Sequence, residues 1–109
     1  MAAHTQRIQT LNDQLRITLA GGQVLMTSGV QALGAEAVAA ALNRMRTFEE
    51  FTVDNDPHGE HDFGSFEVDG HKFFFKIDYY DRQMEGGSED PSDPSVTTRV
   101  LTLMLASEY

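Results

Sequence analysis

The stretch Asp54-Asn55-Asp56-Pro57-His58-Gly59-Glu60-His61-Asp62 places four carboxylates and two imidazoles within nine residues, the densest collection of metal-ligating and proton-transferring groups in the chain. Counted from Asp54, oxygen donors fall at the first, third and ninth positions, and Gly59 sits at the sixth, where a calcium loop makes its sharp turn. The pattern then departs from a calcium loop. His58 stands at the fifth position, Ser65 at the twelfth where a bidentate Glu belongs, and a β-type sequence follows instead of a helix. A transition metal could use His58 and His61 with a carboxylate from Asp54, Asp56 or Asp62, since imidazole and carboxylate oxygen suit zinc, iron or manganese, but the spacing matches no standard ligand motif. The competing reading is structural: Asp54 or Asp56 caps a turn that Pro57 and Gly59 shape, with the histidines at the entrance to the following strands. Asp56, Glu60 and Asp62 could also serve as paired carboxylates for acid–base work, yet nothing in their spacing sets a separation. There is no G-x-S-x-G and no H-E-x-x-H, and the pairs Gly21-Gly22 and Gly86-Gly87 lack the lysine of a phosphate loop. No catalytic residue and no cofactor are assigned, and the chain is expected not to be an enzyme.

Charge points to a different use of the same region. The 109 residues carry a net charge of −9, and the excess is confined to residues 49–93, where fourteen acids face only Lys72, Lys76 and Arg82. A field of that sign repels nucleic-acid phosphates and anionic membrane and steers basic partners toward this half of the molecule. A loop acidity that merely keeps a small protein soluble is the plainer alternative.

These groups must be positioned by a single small domain over residues 1–109, because a chain of this length supports one core. Ile8, Leu11, Leu15 and Leu19 recur at helical spacing and predict a helix from His4 to Leu19 with Gly21-Gly22 as its stop. Gln23–Thr27 reads as a strand, and Ala35–Thr47, with Val38, Leu42 and Met45, as a second helix ending in Arg44 and Arg46. Asp69-Gly70 lies between two β-rich runs and predicts a two-residue type I′ hairpin within Asp62–Asp81. That turn fixes the register: Val68 faces His71, Phe66 faces Phe73 and Gly64 faces Phe75, while Glu67 meets Lys72 on the opposite side together with Phe63, Phe74 and Tyr80. Residues 81–92 read as a surface loop. Asp93-Pro94 looks like a helix start, so Val96, Val100, Leu103 and Met104 are read as a final buried helix, although the β-branched residues there also suit a strand. The expected fold is α+β in the order α-β-α-β-β-α, a small antiparallel sheet with a central hairpin packed against helices.

The absence of cysteine excludes disulfides and thiolate metal sites, and no apolar run is long enough to span a bilayer, so a cytoplasmic location is expected. Taken together, Leu25–Val30, Asp54–Gly64, Lys76–Asp81 and Arg99–Tyr109 resemble a bacterial family of unknown function, the domain-of-unknown-function family numbered 3768. The resemblance implies a small proteobacterial protein associated with plasmids and phages, and it supplies no activity. The expected function is a non-catalytic acidic protein-binding module, a mobile-element inhibitor of anti-CRISPR or anti-restriction type with DNA-mimic-like charge. Its partner would be the basic surface of a nucleic-acid-binding protein or complex, met without direct contact to nucleic acid or membrane. The expected partner-binding residues are Asp54, Asp56, Glu60, Asp62, Phe63, Phe74, Tyr80, Glu85, Glu89 and Asp90. The alternative is a metal-binding protein or metal-dependent enzyme using Asp54, Asp56, His58, His61 and Asp62.

Overall fold

The structure is a computed structural model that describes residues 2–109. Helices α1 (Ala2–Thr18), α2 (Ser28–Gln31) and α3 (Ala35–Arg46) accompany strands β1 (Gln23–Met26), β2 (Phe63–Val68), β3 (His71–Tyr80) and β4 (Thr98–Leu105), and a short 3-10 turn follows at Ala106–Glu108. The strands form one four-stranded sheet in the order β1-β4-β3-β2. One face of it carries Phe66, Phe73, Phe75, Ile77, Leu101 and Leu103, which form a common core with Leu15, Val30, Ala41, Met45 and Phe48. The alternation of a β-strand sends the other half of each strand to a second face.

The hairpin forms in the register its turn dictates. Asp69 and Gly70 both have positive φ, 51° and 81°, as a type I′ turn requires, and the pairs Val68–His71, Glu67–Lys72, Phe66–Phe73 and Gly64–Phe75 follow. Gly64 is required by packing: a Cβ there would run into the rings of Phe75 and Phe48.

Several expectations are corrected. The last long element is a strand, not a helix: residues 98–105 pair with β3 on one side and β1 on the other, so β4 is a central strand buried on both faces. This is why its sequence is apolar nearly all round, a pattern that a buried helix shares. Asp93 does not cap a helix; its carboxylate accepts from the Ser95 backbone N–H (2.9 Å) and hydroxyl (2.7 Å) in a tight turn. The order is therefore α-β-α-α-β-β-β, with α2 as the extra helix. The sheet is mixed instead of antiparallel, because β1 runs parallel to β4, and the hairpin lies at one edge with β2 outermost. The first helix stops at Thr18, before the glycines, because Leu19 itself takes a left-handed conformation (φ 64°) and its N–H returns to the Leu15 carbonyl. Among the described residues, no helix is long and apolar enough to cross a membrane.

Candidate functional site

The carboxylate–histidine loop enters the sheet at Phe63 and is tied down from within. Asp56 is buried, and its carboxylate accepts from the backbone N–H groups of Glu60 (3.0 Å) and His61 (3.2 Å), while its carbonyl accepts from Gly59. It is a turn cap, as the structural reading of this segment proposes, and its carboxylate is turned to the loop's own backbone. Replacing Asp56 by alanine would leave two backbone donors without their acceptor, and we expect a loss of about 1–3 kcal/mol in chemical denaturation. Asp54 and His58 lie on the exposed side of the same loop.

The inward side of the loop meets α1. His61 takes a left-handed backbone conformation (φ 58°), and its Nδ1 lies 2.9 Å from Asp13 Oδ1. Its ring stacks on Phe51 with 3.8 Å between centroids, and its Nε2 comes within 3.8 Å of Asp56. Arg16, one turn along α1, is almost fully buried. Its Nη1 donates to the carbonyls of Met45 (3.1 Å), Arg46 (3.2 Å) and Phe48 (2.9 Å), and its Nη2 donates to Asp13 (3.0 Å). The guanidinium thus satisfies the carbonyl end of α3 and complements its dipole. Among the described residues its Nε has no hydrogen-bond partner, and the guanidinium carbon lies 5.3 Å from the Phe51 ring centroid. A cavity of about 400 Å³ opens here, walled by Asp13, Ile17, Arg46, Phe48, Phe51 and His61.

A second polar group lies deeper. Asn12 is fully buried, and its Nδ2 donates to the Tyr79 hydroxyl (2.8 Å) and the Glu60 carbonyl (3.0 Å), while its Oδ1 accepts from Arg99 Nε (2.8 Å). The Tyr79 hydroxyl donates to Glu60 (2.7 Å), and the Arg99 guanidinium lies 5.2 Å from the Tyr79 ring and donates to the Pro91 carbonyl. Burial, with the Glu60 bond second, pushes the Tyr79 phenol far above its ordinary range, and burial draws the Arg99 guanidinium down. The network therefore joins α1, the acidic loop, β3, β4 and the segment before β4. Asp13, Asn12, Arg16, Tyr79 and Arg99 were not among the residues singled out from the sequence.

Asp62 is only half removed from water, and its carboxyl is pushed up mainly by burial and then by the neighbouring Glu60 anion. A carboxyl raised in the folded state holds more protons there than when unfolded, so stability falls as pH rises from the ordinary value through the raised one. Asp62→Asn should accordingly raise the melting temperature at neutral pH. The gain should be no more than about 1 kcal/mol, because solvent screens a half-exposed group, and it should vanish in acid below the ordinary carboxylate value.

The remaining expected contact residues divide between two surfaces. Glu85 and Glu89 project from the exposed loop after β3, and Asp90 accepts from the Ser92 hydroxyl (2.6 Å), which holds its carboxyl below the usual range. Phe63, Phe74 and Tyr80 lie on the second face of the sheet, where Phe63 and Phe74 are joined by the exposed Tyr109, with ring centroids 5.2–5.8 Å apart. Glu108 fastens the end of this layer: its carboxylate accepts from Thr27 Oγ1 (2.6 Å), Gly29 N (3.1 Å) and Leu105 N (2.8 Å). The five expected metal ligands do not assemble. Among the described residues no three His, Asp or Glu side chains converge on one point, and Asp56 is occupied with backbone donors.

The architecture defines a two-layer α+β domain whose polar groups mostly brace α1 against the sheet and loops. The chain belongs to the family described as "Protein of unknown function (DUF3768)", which matches residues 26–108 and so includes β2 to β4 and both acidic loops but not α1. No curated protein and no solved structure matches it.

Proposed function

We propose that this protein is a non-catalytic acidic module that binds the basic surface of a nucleic-acid-handling protein or defence complex, in the manner of a mobile-element inhibitor. One observation carries the reading. Residues 49–62 contain six acids and no lysine or arginine, and residues 81–93 contain five acids against Arg82 alone. Both segments adjoin the end of the hairpin away from its turn, and both are fastened to the same helix: Gln9 and Asn12 donate to the Gly59 and Glu60 carbonyls, and Arg7 donates to the Ser92 carbonyl. The acidity is therefore concentrated at one end of the sheet, where its fields add and guide a basic partner into contact.

Asp54, Glu85 and Glu89 are the exposed members of this set and the ones assigned to contact. The test is an affinity capture from bacterial lysate with a low-salt wash and a high-salt elution. Recovery of one defined nucleic-acid-handling complex that salt releases is expected, as is its loss with the Glu85→Lys/Glu89→Lys and Asp54→Lys variants at unchanged melting temperature. An empty eluate, or binding that both variants retain, would remove the electrostatic reading.

A further inference from the structure

We propose that the second face of the sheet is a self-association surface whose occupant is another copy of this chain, packed face to face about a two-fold axis. The core residues of α1, α2 and α3 pack against the first face; the second is formed by Phe63 and Glu67 of β2, Lys72, Phe74, Lys76, Asp78 and Tyr80 of β3, alternate residues of β4, and Leu25 of β1. Leu25 is 49% exposed and Tyr109, which lies against Phe63 and Phe74, is 75% exposed, while Val100 and Met104 give the face a buried apolar centre. Large apolar side chains exposed at two places on one face, Leu25 at the β1 edge and Tyr109 toward β2, mark the surface for interaction.

Charge selects the occupant. The charged residues of this face are Glu67, Lys72, Lys76 and Asp78, and they cancel, although the chain as a whole carries −9. Two of the three bases in the acidic half are here, so a basic partner would meet lysines, and a nucleic acid would have to approach past the acidic loops. The net charge of −9 on each copy opposes association, and a contact through this neutral face adds no local like-charge repulsion to it.

The pattern also sets the orientation. Lys76 and Asp78 form an ion pair at 2.9 Å along β3, and each is more than a third exposed. If the two β3 strands crossed in parallel register, Lys76 would meet Lys76. If they run antiparallel about an axis level with Ile77, Lys76 of each copy meets Asp78 of the other and Phe74 meets Tyr80. An isologous contact of this kind is self-complementary and closes at a dimer, and sheets packed this way interdigitate their facing side chains. The residues of this contact differ from Asp54, Glu85 and Glu89, so either proposal can fail alone.

Sedimentation of the full chain over a range of concentrations tests it. The expected result is a reversible monomer–dimer equilibrium. Lys76→Glu should weaken the dimer about tenfold or more by placing like charges opposite each other, and the exchange Lys76→Asp/Asp78→Lys should restore it. Leu25→Glu, at an exposed edge position that folding does not require, should weaken it likewise, with the circular dichroism spectrum unchanged. A monomer at every concentration, or a dimer indifferent to Lys76→Glu and Leu25→Glu, would overturn the proposal.

Discussion

Arg16→Ala is expected to cost about 3–5 kcal/mol, a large part of the roughly 5–15 kcal/mol that holds a domain together, and so to leave a protein that unfolds at much lower urea concentration. The reason is the number of groups that depend on one side chain. Three carbonyls at and just beyond the end of α3, those of Met45, Arg46 and Phe48, converge on a single guanidinium nitrogen, and a second nitrogen holds Asp13. Remove the guanidinium and these carbonyls, buried at Met45 and Phe48, lose their donor, while Asp13 loses the cation that offsets its charge. The Phe51 and Phe75 rings also lose the cation they pack against. Arg16→Lys should recover little, since a single ammonium lacks the planar fork that reaches α3 and Asp13 together. If Arg16→Ala shifts the urea midpoint only slightly, α3 does not depend on α1 for its C-terminal satisfaction.

Asn12→Leu is expected to cost about 2–4 kcal/mol despite a near match in volume. Asn12 donates to the loop and the tyrosine while accepting from Arg99. An apolar substitute leaves the Arg99 Nε without its acceptor and the Glu60 carbonyl without this donor, inside a network whose members support one another. Asn12→Asp separates the two roles: it keeps an acceptor for Arg99 and loses both donors, placing an anion beside Glu60. Thermal unfolding of both variants, together with the near-ultraviolet dichroism of the tyrosines, measures the result. Equal stability of Asn12→Leu and the parent would mean that the network carries no net energy.

The contrast between the hairpin and this network shows what the sequence could disclose. Asp69-Gly70 determines the pairing of Phe66 with Phe73 and of Glu67 with Lys72 because a two-residue turn leaves one register, and every contact is local. The Asp13–His61 pair joins residues 48 apart, which no spacing rule reaches. A weaker sign was available: Asn12 falls in the row Ile8, Asn12, Leu15, Leu19 on the apolar side of α1, and a polar residue there requires buried partners. Arg99 gives a similar sign, as a cation within the apolar run Val96–Leu105. For β4 the difficulty was of another kind. A strand with apolar, buried side chains on both faces loses the alternation that distinguishes it from a helix, and Asp93-Pro94 suits a tight turn as well as a helix start. In the acidic loop the residue types pointed to metal or partner, whereas the fold gives Asp56 to the backbone and leaves Asp54 outside.

The position of β4 bears on how the molecule comes into being. It is the last of the strands in chain order and yet lies between β1 and β3, with Gln23 paired to Val100. Until it is synthesised, β1 has no neighbour in the sheet, and the hairpin is an isolated two-stranded piece of the kind that is marginal in water. Most of the chain must therefore leave the ribosome before its core can close, and pairing between such distant segments makes closure slow. During that interval Phe66, Phe73 and Phe75 lie on an uncovered hairpin, a state that invites aggregation. The acidic segments on either side of the hairpin would then serve the nascent chain as well as the finished one, keeping incomplete copies apart by mutual repulsion until β4 arrives.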